Sequence, residues 1–435
     1  MSTVTTSKSF NDIISSFQAA KFGEANESRK KAIDLLERKG LPGPKHEEYR
    51  FTPLTRAIDN IFTWKNEVAP SQLNSVEQYL IPELDANILV FINGRYSETF
   101  SKIVSPANEV NIKSLSEAFQ SEKELIAEYF DKLVSTEADP FAAMNASFWQ
   151  EGVFIHVPAN TAVTKPVFFL HIHDANQTQV IVHTRLLAIV ENESKLSIIE
   201  KFNTIGDNAA LHTFTEEIVV KENAGLEYCK IQNDAGKSYQ VANTNIHQAD
   251  SSRVDTFTLT LNGQIVRNNF AITIAGENCE SHFNGLYMLN ANTLADNHTV
   301  VDHQKPNSFS NEMYKGVLDG NSKGVFNGKI FVRPQAQKTN AFQSNRNISL
   351  SPNTTINTKP QLEIWADDVK CSHGCTIGQL DEEALFYLQS RGIDKATAQG
   401  MMLYAFTAET LKTISNETLK SYVDSLISER LHKNF

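Results

Sequence analysis

Cys371, His373 and Cys375 stand at alternate positions in the stretch DDVKCSHGCTIGQLDEEALFYLQSRGI, Asp367 to Ile393. Alternate side chains of an extended chain point the same way, so the three can line up in one row. Thiolate and imidazole together suit zinc, or iron as part of a cluster. Zinc sites usually space their ligands Cys-x-x-Cys and need four of them; here there are three, closely spaced, with Gly374 bending the chain between the last two. Three readings stay open on these residues: a self-contained metal site, a Cys371–Cys375 disulfide, or half of a site completed by another chain. A disulfide is not expected in a reducing cytoplasm.

Other residues of the same types carry less. Cys229 and Cys279 stand alone and read as ordinary strand residues. His171 and His173 alternate in PVFFLHIH with only Asp174 beside them, and also read as strand residues. His298 and His303, with Asp296 and Asp302 in ADNHTVVDHQ, could form a ligand group or be polar turn residues. His46 sits in a proline-rich turn and is given no role. There is no Gly-rich phosphate loop, no Gly-x-Ser-x-Gly elbow and no HExxH helix, so an ATP site of the chain's own is not supported.

The elements that must position these residues fall into three regions: 1–150 mostly helical, 151–378 β-rich, and 379–435 helical. In the first, Phe10, Ile13, Ile14 and Phe17 form a helical stripe, and ESRKKAIDLLERKG ends at Gly40, a helix stop. Near Gly152 the texture changes to short runs rich in Val, Ile, Phe and Thr, separated by polar turns, with no helix between them. Five of these pairs of runs share a turn asparagine: Asn192, Asn223, Asn278, Asn321 and Asn353. Their unequal spacing excludes a strict repeat. The pattern favours a β-solenoid, with a sandwich or barrel as the rival. A solenoid has two open ends whose strand edges must be covered, and helical flanks would serve.

After Gly378 the chain turns helical, with Asp381, Asp394 and Ser415 or Asn416 as caps. In the last segment Leu419, Tyr422, Val423, Leu426, Ile427 and Leu431 form one stripe, read either as packing within a helical bundle or as a docking surface for a partner.

Bulk properties narrow the function. A formal charge of −11 argues against nucleic acid and against an anionic membrane surface. No apolar run approaches the roughly 18 residues of a membrane span. The start, MSTVTTSKSFND, lacks the pattern of a signal peptide, so a cytoplasmic location is expected. A secreted β-helix enzyme acting on polysaccharide would need that signal and a cluster of acidic residues along one face; neither is evident.

The quoted stretch resembles the SufD branch of the SufB/SufD family, scaffold subunits of the SUF iron–sulfur cluster assembly system. The resemblance rests on CSHG, then Thr-x-Gly, then LFYLQSRGI. It extends to LPGPKHEEYRFTPL, VFINGRY, FAAMNASFWQEGVFIHVP and FNGKIFVRPQAQKTNAFQSNRNISLSPN…TKPQLEIWADDVK, from about residue 40 to the C-terminus. It implies a right-handed parallel β-helix core between N-terminal and C-terminal α-helical regions, and a non-catalytic scaffold. The implied partners are a SufB-like chain, paired through the β-helix and its C-terminal end, and SufC, an ABC-type ATPase bound through the C-terminal helices. A homodimer is plausible for the lone chain. It further implies a nascent iron–sulfur cluster held transiently at the SufB interface, with His373 as candidate ligand and Cys371 as a weaker one. The flavin question stays open. Two departures stand out: Cys375 where the family has alanine, read as a small buried residue, and Tyr49 where tryptophan is common. The alternative to the scaffold reading is a self-contained metal-binding protein using Cys371, His373 and Cys375.

Overall fold

The computed structural model describes residues 8–20, 22–64, 70–137 and 139–434. Two parallel sheets face each other. One contains β1 (Asn87–Ile92), β5 (Val167–Asp174), β7 (Lys195–Ile205), β9 (Gly225–Asn233), β11 (Arg253–Asn262), β13 (Glu280–Leu289), β15 (Phe309–Leu318), β17 (Asn340–Ser349) and β19 (Lys370–Gly378). The other contains β4 (Glu151–Val157), β6 (Val180–Val190), β8 (Ala210–Val220), β10 (Ser238–Gln248), β12 (Ile265–Ile274), β14 (Leu294–His303), β16 (Lys323–Val332) and β18 (Thr355–Ile364). We call them the odd and even sheets. From β4 onward each strand pairs in parallel with the next but one in the chain, and β1 pairs in parallel with β5, so the backbone winds as a β-solenoid. A sandwich would pair its strands antiparallel. β1 belongs to this winding although it lies within the mostly helical first region.

Alternation along each strand sends every second side chain into the lumen. The lumen core includes Phe169, Ile198, Leu226 and Phe283 from the odd sheet against Ile155, Ala188, Ile218 and Ile272 from the even one. The turns stack as well. Glu193, Asn223, Ser251, Asn278, Asn307 and Lys338 all take left-handed φ near +60°, 27 to 31 residues apart. Each donates its backbone N–H to a carbonyl of the next corner, as in Asn223 to Asp250 at 3.0 Å and Asn307 to Gln337 at 3.0 Å. Of the five turn asparagines picked out in the sequence, only Asn223 and Asn278 sit in this left-handed row. The period is real in the backbone but is carried by four residue types.

Helices cover the outer faces. α1 (Lys8–Ala19), α2 (Asn26–Lys39), α3 (Leu54–Ile61) and α6 (Pro140–Phe148) pack over Leu211, Tyr239 and Val241 of the even sheet. α4 (Leu115–Ser121) and α5 (Lys123–Tyr129) pack over Phe154, Leu187 and Ile189. α8 (Lys395–Ala408) and α9 (Glu417–Asn434) lie on the odd sheet, while α7 (Glu382–Ser390) precedes them with no buried residue. Asp381, Asp394 and Asn416 cap these three helices, each accepting from backbone N–H groups of the first turn.

The two ends of the solenoid differ. At the N-terminal end, β2 (Arg95–Tyr96) and β3 (Asn111–Ser114) pair antiparallel with β1 and β4 and close both edges. At the C-terminal end, β19 and β18 are edge strands with no further strand beyond them among the described residues. Helical flanks at both ends were expected to cover the edges. The C-terminal helices instead fold back along the odd sheet, because their buried stripe matches the apolar rows on its outer face.

Candidate functional site

β19 answers the question of the Cys-x-His-x-Cys stretch. It pairs in parallel with β17, in the register Ala341 with Cys371, Gln343 with His373, Asn345 with Cys375 and Asn347 with Ile377. All four β17 partners are buried in the lumen, whereas Phe342 between them is exposed. Cys371, His373 and Cys375 therefore continue the lumen-facing rows onto the last rung, where the lumen opens to solvent. Cys371 is half-buried against the lumen core, and burial pushes its thiol pKa up. His373 is exposed, and Cys375 is exposed too, so the expectation of a small buried cysteine is corrected. All four cysteines are free thiols, and Cys229 and Cys279 are buried in the core.

These three side chains share a face without closing a metal site. Alternate residues of one strand are roughly 6.5–7 Å apart, whereas donors to one ion sit about 2.0–2.3 Å from it. Among the described residues, no three His, Cys, Asp or Glu side chains are grouped to hold a metal ion. The geometry supplies one or two donors at an open mouth rather than a closed coordination sphere. Exposed apolar groups ring this mouth: Phe342, Ile364, Ile377 and Trp365, the last 47% exposed.

The other histidines divide by parity. His171 and His173 point into the lumen of β5, and burial pushes both down. His173 Nδ1 lies 3.3 Å from Thr204 Oγ1 and 4.0 Å from Asp234. His298 faces outward on β14, 3.0 Å from Asp296 and 3.1 Å from Glu48, while His303 faces inward, 2.8 Å from Ser310. The two histidines are five positions apart, an odd offset in a strand of period two, so they cannot ligate one ion together. His298 belongs instead to an ion-pair network that fastens the segment around Tyr49 to the even sheet. There the buried Arg267 guanidinium lies 4.2 Å from the Tyr49 ring and 2.6 Å from Asp296. Hydrogen bonding to His298 and then to Lys329 outweighs partial burial and holds Glu48 down at about 2.

Sequence reading passed over the ionised lumen. Glu200, Glu216, Tyr228 and Lys230 converge there, with Tyr228 Oη 2.6 Å from Glu200 and Lys230 Nζ 3.0 Å from Glu216. Burial, reinforced by Glu216, raises Glu200 well above the carboxylate range. Burial opposes ionisation of Glu216 as well, but Lys230 and the surrounding hydrogen bonds hold it low. One carboxylate thus stays neutral while its neighbour pairs with the ammonium. The sequence signal was present, charged residues at inward positions of apolar strands, but it required the strand parity to be known.

The stripe on the last helix is also corrected as a docking surface. Leu419, Val423 and Ile427 are buried, and Tyr422 and Leu426 are partly buried, against the chain's own odd sheet. Arg430 adds a hydrogen bond to Leu261 O at 2.9 Å. The exposed apolar groups of this region lie elsewhere: Phe386, 72% exposed, and Tyr387 on α7, with Met401 and Tyr404 on α8.

The chain matches known proteins over most of its length. Residues 6–169 match the family described as "SufBD protein N-terminal region", and residues 171–406 match "SUF system FeS cluster assembly, SufBD core domain". An iron–sulfur cluster assembly SufBD family protein of Synechocystis is 31% identical over 412 residues, covering 92% of this chain and 90% of the relative. The iron–sulfur cluster assembly protein SufD of Escherichia coli is 31% identical over 403 residues, covering 92% and 91%. SufD of Bacillus subtilis is 25% identical over 318 residues, covering 72% of each chain.

Proposed function

This chain belongs to the SufBD family of iron–sulfur cluster assembly proteins, and on that premise we propose that it is a non-catalytic scaffold subunit contributing half of a cluster-assembly site. The observation that carries the reading is the open last rung. Its lumen-facing row presents His373 to solvent, with Cys371 behind it, in a geometry that cannot complete a coordination sphere alone. A SufB-like chain docked on the unpaired edges of β18 and β19 would supply the missing ligands and cover the apolar rim of Phe342, Ile364, Trp365 and Ile377. The cluster is cargo at that interface, built and passed on.

A SufC-like ATPase is assigned to the C-terminal helical region (379–435), through the exposed face of Phe386, Tyr387, Met401 and Tyr404. Those helices also clamp the odd sheet: Lys315 Nζ bonds Phe406 O at 2.7 Å and Glu409 at 2.9 Å. Motion of a bound ATPase would therefore reach the β-solenoid (151–378) through β15.

The test is anaerobic purification of the tagged chain from its own cell, with native mass and metal content. A complex with one related scaffold chain and ATPase chains is the expected result. His373→Ala is then expected to abolish cluster assembly while keeping partner binding and melting temperature, because the side chain is exposed. A lone chain or homodimer with stoichiometric, tightly bound metal would overturn the reading.

A further inference from the structure

Behind His373 the lumen holds a column of polar side chains with two acceptors left over. β15, β17 and β19 pair so that Glu312, Gln343 and His373 occupy the same register position on three successive rungs. Glu312 is 1% exposed and Gln343 3% exposed. The Gln343 amide Nε2 donates to Glu312 Oε2 at 2.6 Å, while the Gln343 carbonyl Oε1 and the second carboxylate oxygen, Glu312 Oε1, have no partner among the described residues. A buried acceptor without a donor is destabilising, and of the two the Gln343 oxygen belongs to the rung that pairs with His373.

The opposing sheet reserves room for the amide. A Cβ on Gly328 of β16 would lie 2.3 Å from Gln343 Nε2 and 2.8 Å from its Cδ. Any side chain there would displace the amide. A carboxylate oxygen accepts hydrogen bonds, so the Glu312 contact fixes which end of the amide turns inward. The nitrogen goes to Glu312, and the oxygen is left for the neighbouring rung.

We propose that Gln343, held by Glu312, positions His373 by accepting one imidazole N–H and thereby turns the other ring nitrogen, with its lone pair, toward the mouth. Ligating imidazoles commonly donate their second N–H to such a partner, which fixes both tautomer and ring orientation. Gln343 and Glu312 are positioning residues; neither touches the cargo. The proposal rests on the reading of His373 as a cluster ligand, and its test is separable from that reading.

The experiment labels the full chain with 15N-histidine and reads the ring nitrogens of His373 by long-range proton–nitrogen correlation, assigning the signal by its loss in His373→Gln. At about pH 9, above the ordinary imidazole range near 6.5, wild-type His373 is expected in a single neutral tautomer. Gln343→Leu should return it to the tautomer mixture of a free imidazole. Glu312→Leu should do the same with Gln343 still present, because the amide is no longer oriented. Gln343→Glu, which keeps an acceptor oxygen, should preserve the single tautomer. A free-imidazole mixture in the wild type overturns the proposal and needs no variant to fold; a single tautomer that survives Gln343→Leu overturns it equally. Cluster assembly by His373→Ala is read separately. Normal assembly there removes the ligand role and leaves the positioning result standing. Lost assembly with a tautomer indifferent to Gln343 removes only the positioning.

Discussion

The buried titratable residues tie stability to pH. Burial pushes His171 and His183 down to about 3 and His303 to about 4, with His212 also pushed well down. An unfolded imidazole titrates near 6.5. Below that pH the unfolded chain takes up protons that the folded chain refuses. Each such histidine therefore contributes stability that is complete above roughly pH 6.5 and falls by about 1.4 kcal/mol per pH unit below it. Glu312, raised by burial to about 7, acts oppositely: its contribution is complete below its unfolded value and is lost as pH rises toward 7. The histidines outnumber the raised carboxylates, so the urea midpoint is expected to fall between about pH 7.5 and pH 5.5. Glu312→Gln should raise stability by about 1–3 kcal/mol near pH 8 and have little effect near pH 5. Equal midpoints at the two pH values for the wild type would contradict the assignment.

At the scale of elements, the rungs interlock through paired glycines and tyrosines. Gly285 of β13 lies in register with Tyr314 of β15, and Tyr287 with Gly316. A Cβ on Gly285 would lie 2.1 Å from the Tyr314 ring, and one on Gly316 would lie 2.3 Å from the Tyr287 ring. Both tyrosines are fully buried. Gly316→Ala is expected to cost about 1–3 kcal/mol or more by overpacking, as measured by chemical denaturation; an unchanged midpoint would show that the rings can move aside. The corner ladder offers the opposite case. Lys338 sits at φ +60°, a region that disfavours most side chains and tolerates asparagine. Lys338→Asn should therefore stabilise the chain by several tenths of a kcal/mol, up to about 1 kcal/mol; a drop in midpoint would mean the lysine side chain has an offsetting role.

For the whole molecule, the asymmetry of covering matters most. Among the described residues, the N-terminal edges are closed by antiparallel strands, both outer faces carry helices, and the C-terminal end is left bare. Exposed strand edges and apolar rims invite pairing. The exposed aromatic pair on α7 is a second bare surface, at a distance from the core. Phe386→Ala with Tyr387→Ala should leave the melting temperature nearly unchanged and reduce ATPase co-purification at least about tenfold, if these side chains act as interface anchors. Retained ATPase with both rings removed would move the docking surface elsewhere.

The period-two runs of Val, Ile and Phe, the polar corners and the helix caps at Asp381 and Asp394 were legible in the sequence because they are local: propensity and capping depend on neighbours a few residues away. So was the common face of Cys371, His373 and Cys375, which follows from strand alternation alone. Tertiary structure decided the rest. Register across turns of the solenoid determined that Gln343 and Glu312 stand behind His373, and tertiary packing that His298 meets Glu48 while His303 meets Ser310. Packing determined that the α9 stripe is occupied by the chain's own sheet, because an amphipathic helix reads the same whether its apolar face meets its own core or a partner. Even the repeat was hidden: a left-handed corner constrains φ, not residue identity, so Glu193, Ser251 and Lys338 keep the same period as Asn223.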